Sequence, residues 1–237
     1  MPKMIIDDEI KDNKKYKKNT MRQDIRKYIQ NSITKGIYKP SDRIVETKLA
    51  KDLGVSQAPV REAILELVMM GMLEDRPYSG TYVKKLSPED IEDIYEIRAM
   101  VEEHAAKNAA AKINEDQLKK LSKELEIMRK AAEAGDVEEF VDADIRFHEI
   151  VVDSAGSKSL KRIWRFLRMA DWTYTTTQLT KYSLLELCNM HEIIFKHLKS
   201  RNVLSAAAAM HLHIMEFAGD VISRLEEQER ERQNIEE

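Results

Sequence analysis

Asp144 and His148 stand four residues apart within the apolar series Val137, Val141, Phe147 and Val151, with Phe140 alongside. At helical spacing both point inward from one face. His191 falls in a second series, Leu184, Leu187, Cys188, Ile194, Phe195 and Leu198. His213 falls in a third, Val203, Ala206, Met210 and Phe217. Three core-facing stripes thus bring one carboxylate and three imidazoles inside. Left unpaired there, such groups cost on the order of a few kcal/mol each, so they must share a partner. One divalent metal ion satisfies all four: imidazole suits Zn, Ni, Cu, Fe and Mn, and the carboxylate keeps the set borderline rather than soft. Core histidines hydrogen-bonded to Asp144 with no metal satisfy them too.

The other candidates sort differently. His197 and His211 fall off the stripes and read as solvated, and His104 lies at the edge of its stripe. His191-Glu192 resembles the start of an HExxH metalloprotease helix, but Phe195 stands where the second histidine belongs. Cys188, one turn before His191, reads as a small buried hydrophobe rather than a ligand. No Gly-rich phosphate loop, GxSxG elbow or CxxC pair occurs. Three histidines and a carboxylate can activate water, but no separate general base or nucleophile accompanies them, so an enzyme is not expected.

The elements that carry these side chains follow from periodicity. The 237 residues are 43% hydrophobic and 34% charged, with 7 Gly, 5 Pro and 6% aromatics. That composition folds, and it favours helices over a turn-rich β-sandwich. One cysteine rules out an intrachain disulfide and fits a reducing compartment. No signal peptide and no membrane span is legible, so a cytoplasmic protein without a membrane partner is expected. Residues 1–86 hold 18 basic against 12 acidic side chains and the remainder 21 against 30, which suggests two domains facing different partners.

Residues 1–18 read as a polar tail. Met21, Ile25, Ile29 and Ile33 mark a first helix, and a short second runs from about Thr47 to Leu53, with Gly54 as its stop. A third opens at Ser56 as N-cap, with Pro59 in its first turn. Met72–Arg76 and Thr81–Lys85 look like strands around a turn at Pro77-Tyr78-Ser79-Gly80. Three helices and a hairpin, with the tight link Leu53-Gly54-Val55-Ser56, are the order of a winged helix-turn-helix. A generic small α/β domain fits the same pattern. From Leu86 six helices are predicted, over about 87–111, 115–134, 136–154, 158–180, 183–199 and from 202, the last fraying into a charged tail. Glu139 and Glu186 are placed as capping-box partners. The fold class is therefore mainly α: a winged helix-turn-helix over residues 19–85, an all-α six-helix antiparallel bundle over 86–227, and a tail over 228–237.

The run Lys48-Leu49-Ala50-Lys51-Asp52-Leu53-Gly54-Val55-Ser56-Gln57-Ala58-Pro59-Val60-Arg61-Glu62-Ala63 resembles the DNA-binding signature of GntR-type bacterial transcription regulators. Gly36-x-x-x-Pro40 and the wing Gly80-Thr81-Tyr82-Val83 match as well. The rear half resembles the helical FCD effector domain of the FadR-like branch. It does so through Tyr95-Glu96-Ile97-Arg98 with Glu102, Asp144-x-x-Phe147-His148, His191-Glu192-x-Ile194 and Ala206-x-x-x-Met210-x-x-His213.

The resemblance implies one divalent metal per chain on Asp144, His148, His191 and His213, zinc or nickel, with manganese or iron as alternatives. It also implies a small carboxylate effector beside that metal, with Arg98 as a candidate contact, and a homodimer on a palindromic double-stranded DNA operator. Arg43, Thr47, Ser56, Gln57, Ala58, Arg61 and Gly80 are then the candidate DNA contacts. Thr47 and Gln57 stand where family heads often carry arginine. Arginine reads guanine and glutamine prefers adenine or phosphate, so another member's operator does not transfer. A helical metal sensor whose front domain binds protein is the alternative reading, and a metal-dependent enzyme a more distant one.

Overall fold

Ile25 and Ile29 recur one turn apart on the inner face of helix α1, Lys18–Thr34, and both are buried. The computed structural model describes residues 18–34, 36–167, 173 and 176–236, except for the side chains of 18–20, 34, 232, 235 and 236. The expected tail lies outside the described residues apart from Lys18, which already belongs to α1. Two compact units meet at Lys85 and Leu86.

In the first unit, β1 (Arg43–Ile44) leads into α2 (Glu46–Leu53) and α3 (Gln57–Met69). Gly54 ends α2 at φ 66°, a left-handed conformation that glycine adopts without the Cβ clash, and so permits the tight turn into α3. Ser56 stands at the N-cap of α3 as expected, but its side chain makes no cap hydrogen bond. β2 (Leu73–Arg76) and β3 (Gly80–Val83) form the wing hairpin. β1 joins them in a three-stranded sheet of order β1-β3-β2, pairing Arg43 with Tyr82 and Ile44 with Thr81. Two residues are too short for a period, so only the pairing with β3 reveals β1. Ile29, Leu49, Val60, Leu67, Leu73 and Val83 close the core beneath. This is a winged helix-turn-helix.

The second unit is all helix among its described residues. Ser87 and Asp90 form a capping box at the start of α4 (Pro88–Lys112), and Asn114 and Gln117 another at α5 (Glu115–Ala134). Asp136 accepts from the Glu139 N–H and starts α6 (Val137–Ser154), but only half of the expected box forms. The Glu139 carboxylate instead takes Arg146, one of whose nitrogens lies 3.1 Å away. α7 spans Lys158–Leu167; of the predicted 158–180, residues 168–172 and 174–175 lie outside the described residues, and 178–180 are not helical. Of the residues beyond it in that range, Thr173, Thr176 and Thr177 are described as helical. α8 (Leu184–Lys199) opens on the expected Ser183/Glu186 box.

α9 runs from Val203 to Glu236, so the charged end does not fray at 228. It contains no proline, and pairs such as Arg230–Glu226 at 3.6 Å lie one turn apart along it. Tyr95 against Phe217 and Glu103 against His211 set α4 and α9 antiparallel.

Candidate functional site

α6 places Asp144 and His148 one turn apart, α8 brings His191 and α9 brings His213, all four buried in the second unit. One candidate ligand atom from each lies within 4.8 Å of every other. The inward register expected from the sequence thus brings all four together.

Hydrogen bonds at the outer edges of two rings set the chemistry at the centre. His191 Nδ1 lies 2.8 Å from the Leu187 carbonyl oxygen, which only accepts, so Nδ1 carries the proton. His148 Nδ1 meets the Glu102 carboxylate, again an acceptor, so it too donates outward. In neutral rings both Nε2 atoms are then left with lone pairs. These lone pairs face each other at 3.2 Å, and His191 Nε2 faces Asp144 Oδ1 at 2.8 Å.

Three electron-pair donors converge on a point that needs a cation, whether an added proton or a metal ion. Asp144 Oδ2 and His213 Nδ1 are buried with no hydrogen-bond partner in the protein. Both orphans suit a metal, and so does the donor set.

Electrostatics agree. Burial opposes the Asp144 charge, and His191 and His148, if protonated, would outweigh it together with Arg98 and bring the carboxyl down to about 2, so its ionised form calls for a cation at its side. Burial, with His191 and His148 close by, pushes His213 well below the ordinary imidazole range, which keeps it neutral. Arg98 is buried on α4, and the Glu102 carboxylate beside it overcomes desolvation and keeps it charged. Arg98, Asp144, His191 and His213 line a cavity together with Thr173 and Thr177. Its volume is about 20 Å³, against roughly 10–15 Å³ for a single water.

Among the remaining histidines, His104 is exposed, and His197 and His211 are half-buried outside the cluster. His211 is not simply solvated: its Nδ1 lies 3.0 Å from a Glu103 carboxylate oxygen. Cys188 is buried with Sγ turned to the Leu125 carbonyl, 3.9 Å away. Glu102 and Trp164 had no place in the residue-by-residue reading. The signal for Glu102 was a charge inside the apolar repeat Tyr95, Ala99, Ala106 of α4.

In the first unit, Thr47, Ser56, Gln57 and Ala58 are exposed around the α2–α3 turn. Arg61 is exposed on α3 and held by Glu46, with Nε to Oε2 at 2.9 Å and Nη2 to Oε1 at 2.8 Å. Arg43 reaches the wing: its guanidinium lies against Gly80, where a Cβ would come within 3.1 Å, and Gly80 has φ 108°. A side chain there would strain the backbone at that φ, while the exposed guanidinium would have to give only a few tenths of an ångström.

A winged helix-turn-helix joined to a helical domain is a build that DNA-binding regulators share. Residues 21–83 match the family described as bacterial regulatory proteins, gntR family, and residues 93–216 match the FCD domain. An uncharacterized HTH-type transcriptional regulator of Bacillus subtilis, YdhC, is 32% identical over 78% of this chain and 82% of its own length. A probable D-xylose utilization operon transcriptional repressor of Paenarthrobacter nicotinovorans is 30% identical over 85% of this chain and 88% of its own. The fold is that of E. coli McbR/YncC, with a TM-score of 0.67 at 22% identity over 88% of this chain and 98% of that one.

The chain belongs to the gntR family of bacterial regulatory proteins and carries that family's FCD domain. It is a DNA-binding transcription regulator and not an enzyme. No described helix is long and apolar enough to cross a membrane.

Proposed function

We propose that this chain is a one-component regulator that binds a palindromic operator as a dimer and responds to a small carboxylate held beside a divalent metal. The front domain spans residues 19–85 and the effector domain 86–227. The observation that carries this reading is the convergence of Asp144 Oδ1, His148 Nε2 and His191 Nε2 with no proton left to place between them in neutral rings.

Asp144, His148, His191 and His213 would hold the ion, zinc or nickel by ligand chemistry, with manganese or iron as alternatives. When bound, the ion supplies positive charge and open positions for an oxygen ligand. Arg98, charged and facing the cavity, would receive the acid's carboxylate. The cavity is small, so its walls must yield to admit more than a carboxylate group. In the head, Arg43, Thr47, Ser56, Gln57, Ala58 and Arg61 would meet phosphates and base edges. Gly80 would let the wing approach closely, and the N-terminus of α3 favours a phosphate.

Thermal shift of the metal-loaded chain against hydroxy acids, sugar acids and dicarboxylates tests the effector class. Duplex titration at fixed salt with each hit follows. At least one acid should raise the melting temperature and change duplex affinity by about 5–150-fold, the usual span of an allosteric coupling. A panel in which no acid does both overturns the carboxylate reading.

A palindrome also requires a second copy. Ile97 and Met100 on α4 and Ile163 and Phe166 on α7 are exposed apolar side chains on two helices that pack together, and we place the partner there. Light scattering at micromolar concentration should give a dimer for the wild type and a monomer for Phe166→Glu. A monomeric wild type, with and without DNA, contradicts the assembly.

A further inference from the structure

Glu102 is an acidic side chain on α4 with no exposed surface. Three donors from three helices satisfy it. Arg98 Nε lies 2.9 Å and Trp164 Nε1 3.1 Å from Oε1, while His148 Nδ1 meets Oε2. The buried Arg98 guanidinium against Oε1 is the counter-charge that accompanies it as a carboxylate. An ionised carboxylate accepts and never donates, so the His148 proton must sit on Nδ1, and the Nε2 lone pair is left facing Asp144 and His191. Oε1 meanwhile grips Arg98, whose guanidinium lines the same cavity. One side chain thus orients both a candidate metal ligand and the cation beside it.

We propose that Glu102 is the positioning residue of this centre, fixing His148 in the tautomer that presents Nε2 to the ion while locking Arg98 against the effector cavity. The proposal rests on the metal reading above. A plain structural role, in which Glu102 only balances the buried Arg98 charge, leaves the His148 tautomer indifferent to what occupies Oε2.

Glu102→Gln separates the two. The Arg98 and Trp164 donors hold the amide oxygen where Oε1 was, so the amide NH2 must face His148. That group only donates, which forces Nδ1 to accept and moves the ring proton to Nε2, the atom the ion needs. Loss of the negative charge leaves Arg98 buried and unbalanced. The double variant Arg98→Met/Glu102→Gln, which removes the cation along with the anion, therefore serves where the single variant does not fold.

The full-length wild type and the folded variant are stripped of metal, titrated calorimetrically with zinc alone, and compared by 15N NMR of the histidine rings at alkaline pH. Wild-type His148 should be protonated at Nδ1 and the variant at Nε2, with zinc bound about 10–100-fold more weakly by the variant. A wild type that binds zinc beside an equally tight variant, or a variant that keeps the Nδ1–H tautomer, overturns this proposal alone. A wild type that takes up no zinc overturns the metal reading and this proposal with it.

Discussion

Metal-stripped protein titrated with zinc or nickel should bind one ion per chain and melt at a higher temperature. The ion would pin α6, α8 and α9 through Asp144, His148, His191 and His213, which the unfolded chain does not hold together. At a free concentration of 100 times Kd, binding to the folded form alone adds about 2.7 kcal/mol. For a unit the size of Leu86–Glu237 that is a rise of about 5–10 °C. His213→Ala should weaken the ion's affinity, because it removes one of four ligands. Basal duplex binding should survive, since the DNA head is a separate compact unit with its own core. Calorimetric titration and elemental analysis of chelator-free protein decide the matter. If the stripped chain takes up neither of these ions, nor manganese or iron, the cation between Asp144 and His191 is a proton, and the cluster is a hydrogen-bonded polar core.

Arg61→Ala should weaken binding to a cognate duplex by about ten- to a hundredfold at fixed salt, the scale of losing one good contact to a base edge. The side chain is 63% exposed, and the apolar face of α3 is carried by Val60, Ala63, Ile64 and Leu67. The melting temperature should therefore stay close to wild type. Glu46 takes the Nε and Nη2 edge of the guanidinium and leaves the Nη1 side for a base or phosphate, so Arg61 is oriented before DNA arrives. If Arg61 reads a base, the loss should be largest on the cognate sequence and smaller on random duplex. If it meets only a phosphate, the loss should be uniform and the salt slope lower by about one. Unchanged affinity on both duplexes removes Arg61 from the interface.

Periodicity and punctuation made much of this molecule legible before its structure. The 3.6-residue repeat put Asp144, His148, His191 and His213 on inward faces, and Gly54, Ser87, Ser183 and Asp136 marked helix ends through their own backbone and side-chain preferences. Those are local facts, determined within a turn or two of chain. Which way a buried ring turns is not local. The His148 tautomer depends on Glu102, 46 residues away, and Glu102 in turn on Trp164, 62 residues away. The Arg61–Glu46 pair, the seat of Arg43 against Gly80 and the two-residue strand β1 likewise exist only once separate elements meet. Hydrophobic spacing tells a side chain to face the core and is silent about which polar group it will meet there, because that partner is chosen by the packing of whole helices. The amino-acid sequence alone therefore determined most of the helices and the wing hairpin, their inward faces and the four candidate ligands. Only the tertiary structure decided the hydrogen bonds that leave the His148 and His191 lone pairs aimed at a common point with Asp144.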